Sequence, residues 1–428
     1  MKIALVIEHF DAARGGAEHF AVWLAGQLVA RGHEVHVVCH DSRRHRDRYQ
    51  AAHRGASHDA VKSATAGGIR TESVPGVTIH ALRAAKLSTG FGFRQFGRRV
   101  AQWCRNHRPD LVHSISVAFP GDVYHPQPGV YMRMQDQAIS SRDHSASAGF
   151  KRLTLGISGK QRALLSLEKV ACSPVNRGGA HKIICISDLV MRDFINVYRI
   201  PADRLVRMEN PLMYRTPSVE EMLRNRQWFR GMYHLPDSAR VAVFAGHDFR
   251  RKGLSWAIRA VAASDNWHLV VVGMGKVRRY LELAEELHVG GRVKFIGPTR
   301  EMSRVYAGVD ALLFPTFYDS FGLVALEAMV HGLEVISTRF LGAANLVEER
   351  GMGVIVDSPR CVRDMTTALD SIQPTWERRM NMVRAADIYF APLRPEAYMD
   401  RLEQVYRNMT PPQSHRTAER RRRACWDA

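Results

Sequence analysis

Residues 2–39 read KIALVIEHFDAARGGAEHFAVWLAGQLVARGHEVHVVC. The unbroken apolar run over 2–7 suits a strand buried on both faces, which is how strands of parallel sheets read. A glycine-rich turn, Arg14-Gly15-Gly16, follows it. From about Ala17 to Arg31, Phe20, Trp23, Leu24 and Leu28 fall on one helical face, and Gly32 supplies a stop. Glu34–Cys39 is then a second strand. Strand, helix and strand in so short a span predict a βαβ unit, and with it an α/β fold built on a parallel sheet.

The alternation continues outward from this unit. Further strands are expected at Val77–Leu82, Asp110–Ile115, Lys182–Ser187 and Leu205–Met208. Residues 41–76, rich in Arg, His, Ala, Ser and Gly, read as a long polar loop, and 120–159 as irregular. A second alternating region predicts strands at Arg240–Ala245, His268–Val272, Arg292–Ile296, Ala311–Pro315, Glu334–Ser337 and Gly353–Val356. Helices are expected between them at Leu254–Ala263, Lys276–Leu287 and Phe321–Val330, and after them near Thr375–Phe390 and Arg394–Met409. A hinge between about Pro211 and Asp237 would divide two Rossmann-like domains that face each other across a cleft. The expected boundaries are 1–212 for the first half; 213–390 for the second; 391–410, a helix packing back toward the first half; and 411–428, a basic tail without fixed structure.

Composition narrows the function classes. The 428 residues are 46% hydrophobic and 24% charged, which rules out a disulfide-stapled miniprotein, a collagen and a wholly disordered chain. The net charge of +19 speaks of partners and leaves phosphates, nucleic acid and anionic membrane surfaces as candidates. Most of the excess lies early, with 28 Lys and Arg against 15 Asp and Glu in residues 1–200. The six cysteines include no C-x-x-C pair, so they suit idle thiols in a reducing compartment better than zinc or a disulfide framework. No stretch approaches 18 apolar residues. A cytoplasmic protein with at most peripheral membrane contact is expected.

Three stretches carry chemistry. At Gly15-Gly16 the backbone can approach a ligand, and the following helix N-terminus offers amides to an anion. No G-x-G-x-x-G follows the first strand, and Gly273-Met274-Gly275 has Arg278 where the third glycine belongs, so a dinucleotide site is disfavoured. Asp248-Phe249-Arg250-Arg251-Lys252-Gly253 sets three cations ahead of a helix, against the dipole preference, which points to a bound anion such as a diphosphate. Phe317-Tyr318-Asp319-Ser320-Phe321-Gly322-Leu323-Val324-Ala325-Leu326-Glu327-Ala328-Met329 places Asp319 in a loop after a strand and Glu327 on a largely apolar helix. A carboxylate there needs partners, and sugar hydroxyls are suitable ones. The plain alternatives are a tight turn, an exposed basic turn, and a helix cap with a solvated Glu.

Taken together these residues resemble the retaining, GT-B fold glycosyltransferases of family 4. The resemblance runs from Gly15-Gly16 through Arg31–Val35 (RGHEV), Pro109–His113 (PDLVH), Ile186–Phe194 (ISDLVMRDF), the stretch just quoted, and His331–Thr338 (HGLEVIST). Asp248–Gly253 (DFRRKG) and Pro120–Tyr124 (PGDVY) look most like the branch of bacterial lipopolysaccharide core glucosyltransferases.

The resemblance implies roles: residues 1–212 would bind the acceptor and residues 213–390 the nucleotide sugar. Gly15 and Gly16 would give amides to the donor diphosphate, and Arg251 and Lys252 would clamp its charge. The amides of Phe321, Gly322 and Leu323 would point into the same cleft, and Glu327 would hold the donor ribose. Asp319 stands where the family has the first Glu of an E-x7-E pair, one methylene shorter, and would touch the transferred sugar. Asp122 matches a carboxylate considered catalytic in the lipopolysaccharide branch. His113 lies near the family's acceptor-side histidine, though its surroundings (HSIS) are incomplete. His247 stands where many members carry an Arg, so Arg251 would substitute.

The implied reaction is retaining, metal-independent hexose transfer to a cell-envelope glycan or glycolipid, with no cofactor beyond a co-substrate nucleotide sugar, for which a UDP-sugar is expected. A non-catalytic sugar-nucleotide or glycan-binding protein on the same fold is the alternative. Nucleic acid is not an expected partner, because interleaved aromatics and recognised binding motifs are missing. Arg43, Arg44, Arg94, Arg98, Arg99, Lys151 and Arg152 are expected to dock the first half on an anionic membrane leaflet or a phosphorylated glycolipid.

Overall fold

The computed structural model describes residues 1–41, 74–142, 147, 149, 152–155 and 158–409. Two parallel sheets dominate it. The first has the order β3-β2-β1-β4-β5-β6-β7, with β1 at Lys2–Val6, β2 at Glu34–His40, β3 at Val77–Leu82, β4 at Leu111–Ser114, β5 at Val123–Tyr124, β6 at Lys182–Cys185 and β7 at Leu205–Arg207. The second has the order β10-β9-β8-β11-β12-β13, with β8 at Arg240–Ala245, β9 at Trp267–Val272, β10 at Val293–Gly297, β11 at Ala311–Phe314, β12 at Glu334–Thr338 and β13 at Gly353–Val356. Two Rossmann-like halves are thus present.

The strands are apolar because helices cover both faces of each sheet. Ile3, Ala4, Leu5 and Val6 are wholly buried, as are Ala311, Leu312 and Leu313 at the centre of the second sheet. Leu5 pairs in register with Val37 on one side and His113 on the other. The stretch expected to be irregular is only partly so: it holds β5 and a helix at Tyr131–Ser140. Two residues of strand are too few to show a periodicity. Residues 42–73 and the tail from 410 fall outside the described residues, as do Arg43, Arg44 and Lys151.

The chain crosses between the halves twice. It leaves the first after β7, and after the Trp376–Tyr389 helix it returns through 390–394. The crossings touch: the Leu212 amide donates to the Leu393 carbonyl at 2.8 Å. The Pro395–Arg407 helix then lies on the first half. Its Tyr398, Met399, Leu402 and Tyr406 enter one core with Phe20, Leu24 and Leu28. Asp400 pairs with Arg31 at 2.6 Å, and Glu403 lies 3.3 Å from His33.

Candidate functional site

In each sheet the strand order reverses at one place, and ligands of open α/β sheets bind beyond the carboxyl ends of the strands there. In the second sheet that place lies between β8 and β11. The loop after β8 delivers Arg251 and Lys252, and the loop after β11 delivers Asp319. The structure brings these three together. The Lys252 ammonium pairs with an Asp319 carboxylate oxygen and sits 5.3 Å from the Phe314 ring centre. Arg251 donates through Nη1 to the Tyr318 carbonyl at 2.7 Å and through Nε to Asp248 at 3.2 Å.

The electrostatics of this pair are tense. Burial pushes the Asp319 carboxyl up, but Lys252 and Arg251 more than offset it, so its pKa falls below the usual carboxylate value. Burial lowers the pKa of Lys252, with Asp319 pulling the other way. An ion pair held among apolar groups is ready to exchange partners with a ligand that offers both an anion and hydroxyls.

The 319–322 loop is held by its neighbour at 338–343. The Asp319 amide donates to the Phe340 carbonyl at 2.9 Å, and the Ala343 amide to that of Phe321 at 2.7 Å. Gly322 precedes the Leu323–Val330 helix with φ 88°, and a Cβ there would come 2.2 Å from the Leu341 side chain, so only glycine fits. No side chain caps this helix. Of the amides expected to face a ligand, that of Phe321 donates to Asp319 at 3.3 Å, while Leu323 opens the helix.

Glu327 sits in that helix with two tyrosine partners. The Tyr306 hydroxyl donates to it at 2.7 Å, and the Tyr214 hydroxyl bonds to it as well. Burial nonetheless pushes its carboxyl up to about 7. The partners expected from sequence were ribose hydroxyls; the partners found are phenols from the hinge segment and the Met302–Gly308 helix.

In the first sheet the order reverses between β1 and β4. Gly15 is the N-cap of the Gly16–Ala30 helix, in extended backbone, with no side chain capping the amides. A Cβ on Gly16 would meet nothing within 4 Å, whereas one on Gly15 would come 3.1 Å from a Glu18 carboxylate oxygen. Two residues that sequence reasoning missed meet at the same place. Glu8 follows β1 and Ser116 follows β4, and the serine hydroxyl donates to the Glu8 carboxylate at 2.7 Å. Burial raises the Glu8 pKa, against the pull of Ser116 and Lys160. No local signal marks this pair, because its members are 108 positions apart.

Asp122 lies just before β5 rather than beyond its carboxyl end, level with Val112 of β4. Its carboxylate accepts the Val112 amide at 2.8 Å, and its carbonyl accepts those of His181 and Lys182. The structure uses it as a joint between β4, β5 and β6 and does not bring it to Lys252 and Asp319. His113 is wholly buried, its pKa driven down to about 3 by burial. It stands between the Tyr406 hydroxyl at 2.6 Å and His125 at 3.1 Å, as a core histidine. His125 and Gln127, at the carboxyl end of β5, were not singled out by sequence. His247 is exposed. Among the described residues no group of three or more His, Cys, Asp and Glu could hold a metal ion.

Two Rossmann-like halves facing each other with such a site between them define the GT-B class of glycosyltransferases. Comparison with known proteins bears this out. The crystal structure of WaaG, a glycosyltransferase of lipopolysaccharide biosynthesis, matches with TM-score 0.69 at 20% identity over 94% of this chain and 99% of that one. Anabaena HepE in complex with UDP-glucose matches with TM-score 0.64 at 17% identity over 96% and 100%. In sequence, a Glycosyltransferase Family 4 model matches residues 14–212 and a Glycosyl transferases group 1 model residues 226–388. The chain thus carries a glycosyltransferase family 4 domain followed by a glycosyl transferases group 1 domain. Lipopolysaccharide glucosyltransferase WaaG of Escherichia coli K12 is 29% identical over 189 residues, 43% of this chain and 50% of that protein. The chain spans about half the length of the curated relatives it matches.

Proposed function

We propose that this glycosyltransferase moves a hexose from a UDP-sugar to a cell-envelope glycan or glycolipid of the lipopolysaccharide-core kind, with retention and without a metal. The observation that carries the reading is the Lys252–Asp319 pair beside Arg251 at the strand-order reversal of the second sheet. An incoming nucleotide sugar offers both ions a new partner, the ammonium a phosphate and the carboxylate a sugar hydroxyl. As the glycosidic bond breaks, negative charge grows on the leaving diphosphate. Lys252, Arg251 and the bare N-terminus at Gly15 and Gly16 are the groups that would stabilise it. Glu327 would turn from a tyrosine partner to the ribose. The acceptor hydroxyl would attack from the face the leaving group departs, keeping the anomeric configuration.

A screen of UDP-, GDP- and ADP-sugars for ligand-induced thermal stabilisation identifies the donor. Lys252→Ala and Glu327→Ala should each abolish transfer while the protein stays folded. Full activity in both overturns the roles given to Lys252 and Glu327, and tight donor binding by the wild type without turnover for any acceptor favours a binding protein.

The same reading puts the protein on the cytoplasmic face of a membrane. Arg94, Arg98, Arg99 and Arg152 are exposed, and Phe91 and Leu153 beside them are 65% and 60% exposed. Cations flanking apolar side chains suit an anionic leaflet. No helix among the described residues is long and apolar enough to cross a membrane. Sedimentation with liposomes should show binding that needs anionic lipid and is lost at high salt; binding indifferent to lipid charge refutes it.

A further inference from the structure

Asp319 sits between two residues that reach across the cleft. The Tyr318 hydroxyl donates to Asp193 Oδ2 at 3.1 Å, and the Val130 amide lies 3.4 Å from the same hydroxyl. Asp193 lies on the Asp188–Tyr198 helix of the first half and is also paired with Arg133, whose Nε is 3.2 Å from its other oxygen. On the far side of Asp319, the Ser320 hydroxyl donates to the Gln127 carbonyl at 2.7 Å. The Ser320 carbonyl in turn accepts the Ser187 hydroxyl at 2.7 Å.

The receiving surface is shaped for this. Gly129 has φ 82°, and a Cβ on it would lie 2.6 Å from the Tyr318 hydroxyl and 3.1 Å from the Ser320 Cβ. Tyr318 is 2% exposed in this arrangement, so its hydroxyl bonds across the cleft rather than to water.

We infer that Tyr318 and Ser320 are positioning residues that tie the placement of the Asp319 carboxylate to the closed arrangement of the two halves. The inference rests on the reading of Asp319 as the group that meets the transferred sugar. Its sense is physical. The diphosphate clamp, Arg251 and Lys252, comes from the loop after β8 and makes its bonds within the second half. The sugar-side carboxylate is held there too, but both its chain neighbours are also bonded to the opposite domain. Nucleotide binding and sugar recognition are therefore separable, and the second is tied to the closure that excludes water from the reacting sugar.

Isothermal titration with UDP and with UDP-glucose tests this. Tyr318→Phe keeps the buried ring and removes the hydroxyl. It should leave the Kd for UDP within about twofold and weaken UDP-glucose about fivefold, the change expected for one lost hydrogen bond. Asp193→Ala should do the same, and Asp193→Asn, which keeps an acceptor for the tyrosine, should restore most of the loss. In an Asp319→Asn background, Tyr318→Phe should weaken UDP-glucose no further. Equal weakening of both ligands, no weakening, or full additivity with Asp319→Asn overturns the inference while leaving the functional reading intact. Wild-type protein that binds neither ligand overturns both.

Discussion

Replacing Lys252 by methionine keeps most of the side-chain volume and removes the cation that Asp319 faces. In the folded protein the lysine side chain is 10% exposed and the aspartate 18%, so water can replace little of what is lost. Asp319 keeps the Phe321 amide at 3.3 Å and the nearby Arg251. Breaking a buried pair by removing one partner costs 3–5 kcal/mol; with these remaining groups and the residual exposure, we expect about 3 kcal/mol at pH 8. The dependence on pH distinguishes the cause. In the wild type the folded pKa of Asp319 lies below its ordinary 3.8, so its stabilisation is present above that value and lost only as pH falls below it. In the variant burial acts unopposed by Lys252, the folded pKa moves above 3.8, and the deficit should shrink as pH falls toward 5. Urea unfolding followed by circular dichroism at pH 5 and pH 8 measures both numbers. The double variant Lys252→Met/Asp319→Asn should regain about 2 kcal/mol at pH 8, since an amide needs no counterion. A deficit under about 1 kcal/mol at pH 8, or one equal at both pH values, would refute the picture of a tense, buried pair.

Glu327 titrates the other way. Its folded pKa of about 7 lies above the ordinary 4.5, so wild-type stability should fall as pH rises between those values, by about 3 kcal/mol at most. Glu327→Gln should flatten that slope in denaturation at pH 5 and pH 8; an unchanged slope places the titration elsewhere. Asp122→Asn keeps an oxygen for the Val112 amide, so it should cost under about 1.5 kcal/mol and preserve most transfer activity, whereas loss of transfer with normal donor binding would return Asp122 to the chemistry. Glu8 follows β1 in the half expected to bind the acceptor, so Glu8→Gln should lower kcat/KM for the acceptor about tenfold with the donor Kd unchanged, as expected where a charged hydrogen-bond acceptor faces a sugar hydroxyl. An equal effect on the donor would move Glu8 out of the acceptor side.

The regular architecture was legible because each strand is a run of residues that must be apolar on both faces. Arg240–Ala245 and Val77–Leu82 match the expected bounds. β5 escaped notice because it is two residues long and owes its place to neighbouring strands. The basic turn and the Asp319 loop stood out because cations or carboxylates beside buried helices are costly without a partner. What could not be read is which partner answers them. Lys252 and Asp319 are 67 positions apart, Glu327 and Tyr306 are 21, and Ser116 and Glu8 are 108. Only the fold sets those distances. Asp122 shows the converse: its motif resemblance points to chemistry, while strand direction sets its carboxylate against the Val112 amide.

The helix at Pro395–Arg407 bears on how the protein is made. Tyr398, Met399, Leu402 and Tyr406 close a core whose other members come from the first 210 residues. A ribosome adds about 5–20 residues per second, so the first half waits roughly 10 to 40 s for its last apolar wall after its own strands have emerged. During that interval Phe20 and Leu24 have no cover from the end of the chain. The order of folding is thereby inverted: the second half, whose strands are contiguous in sequence, can complete its core first, and the amino-terminal half is finished last.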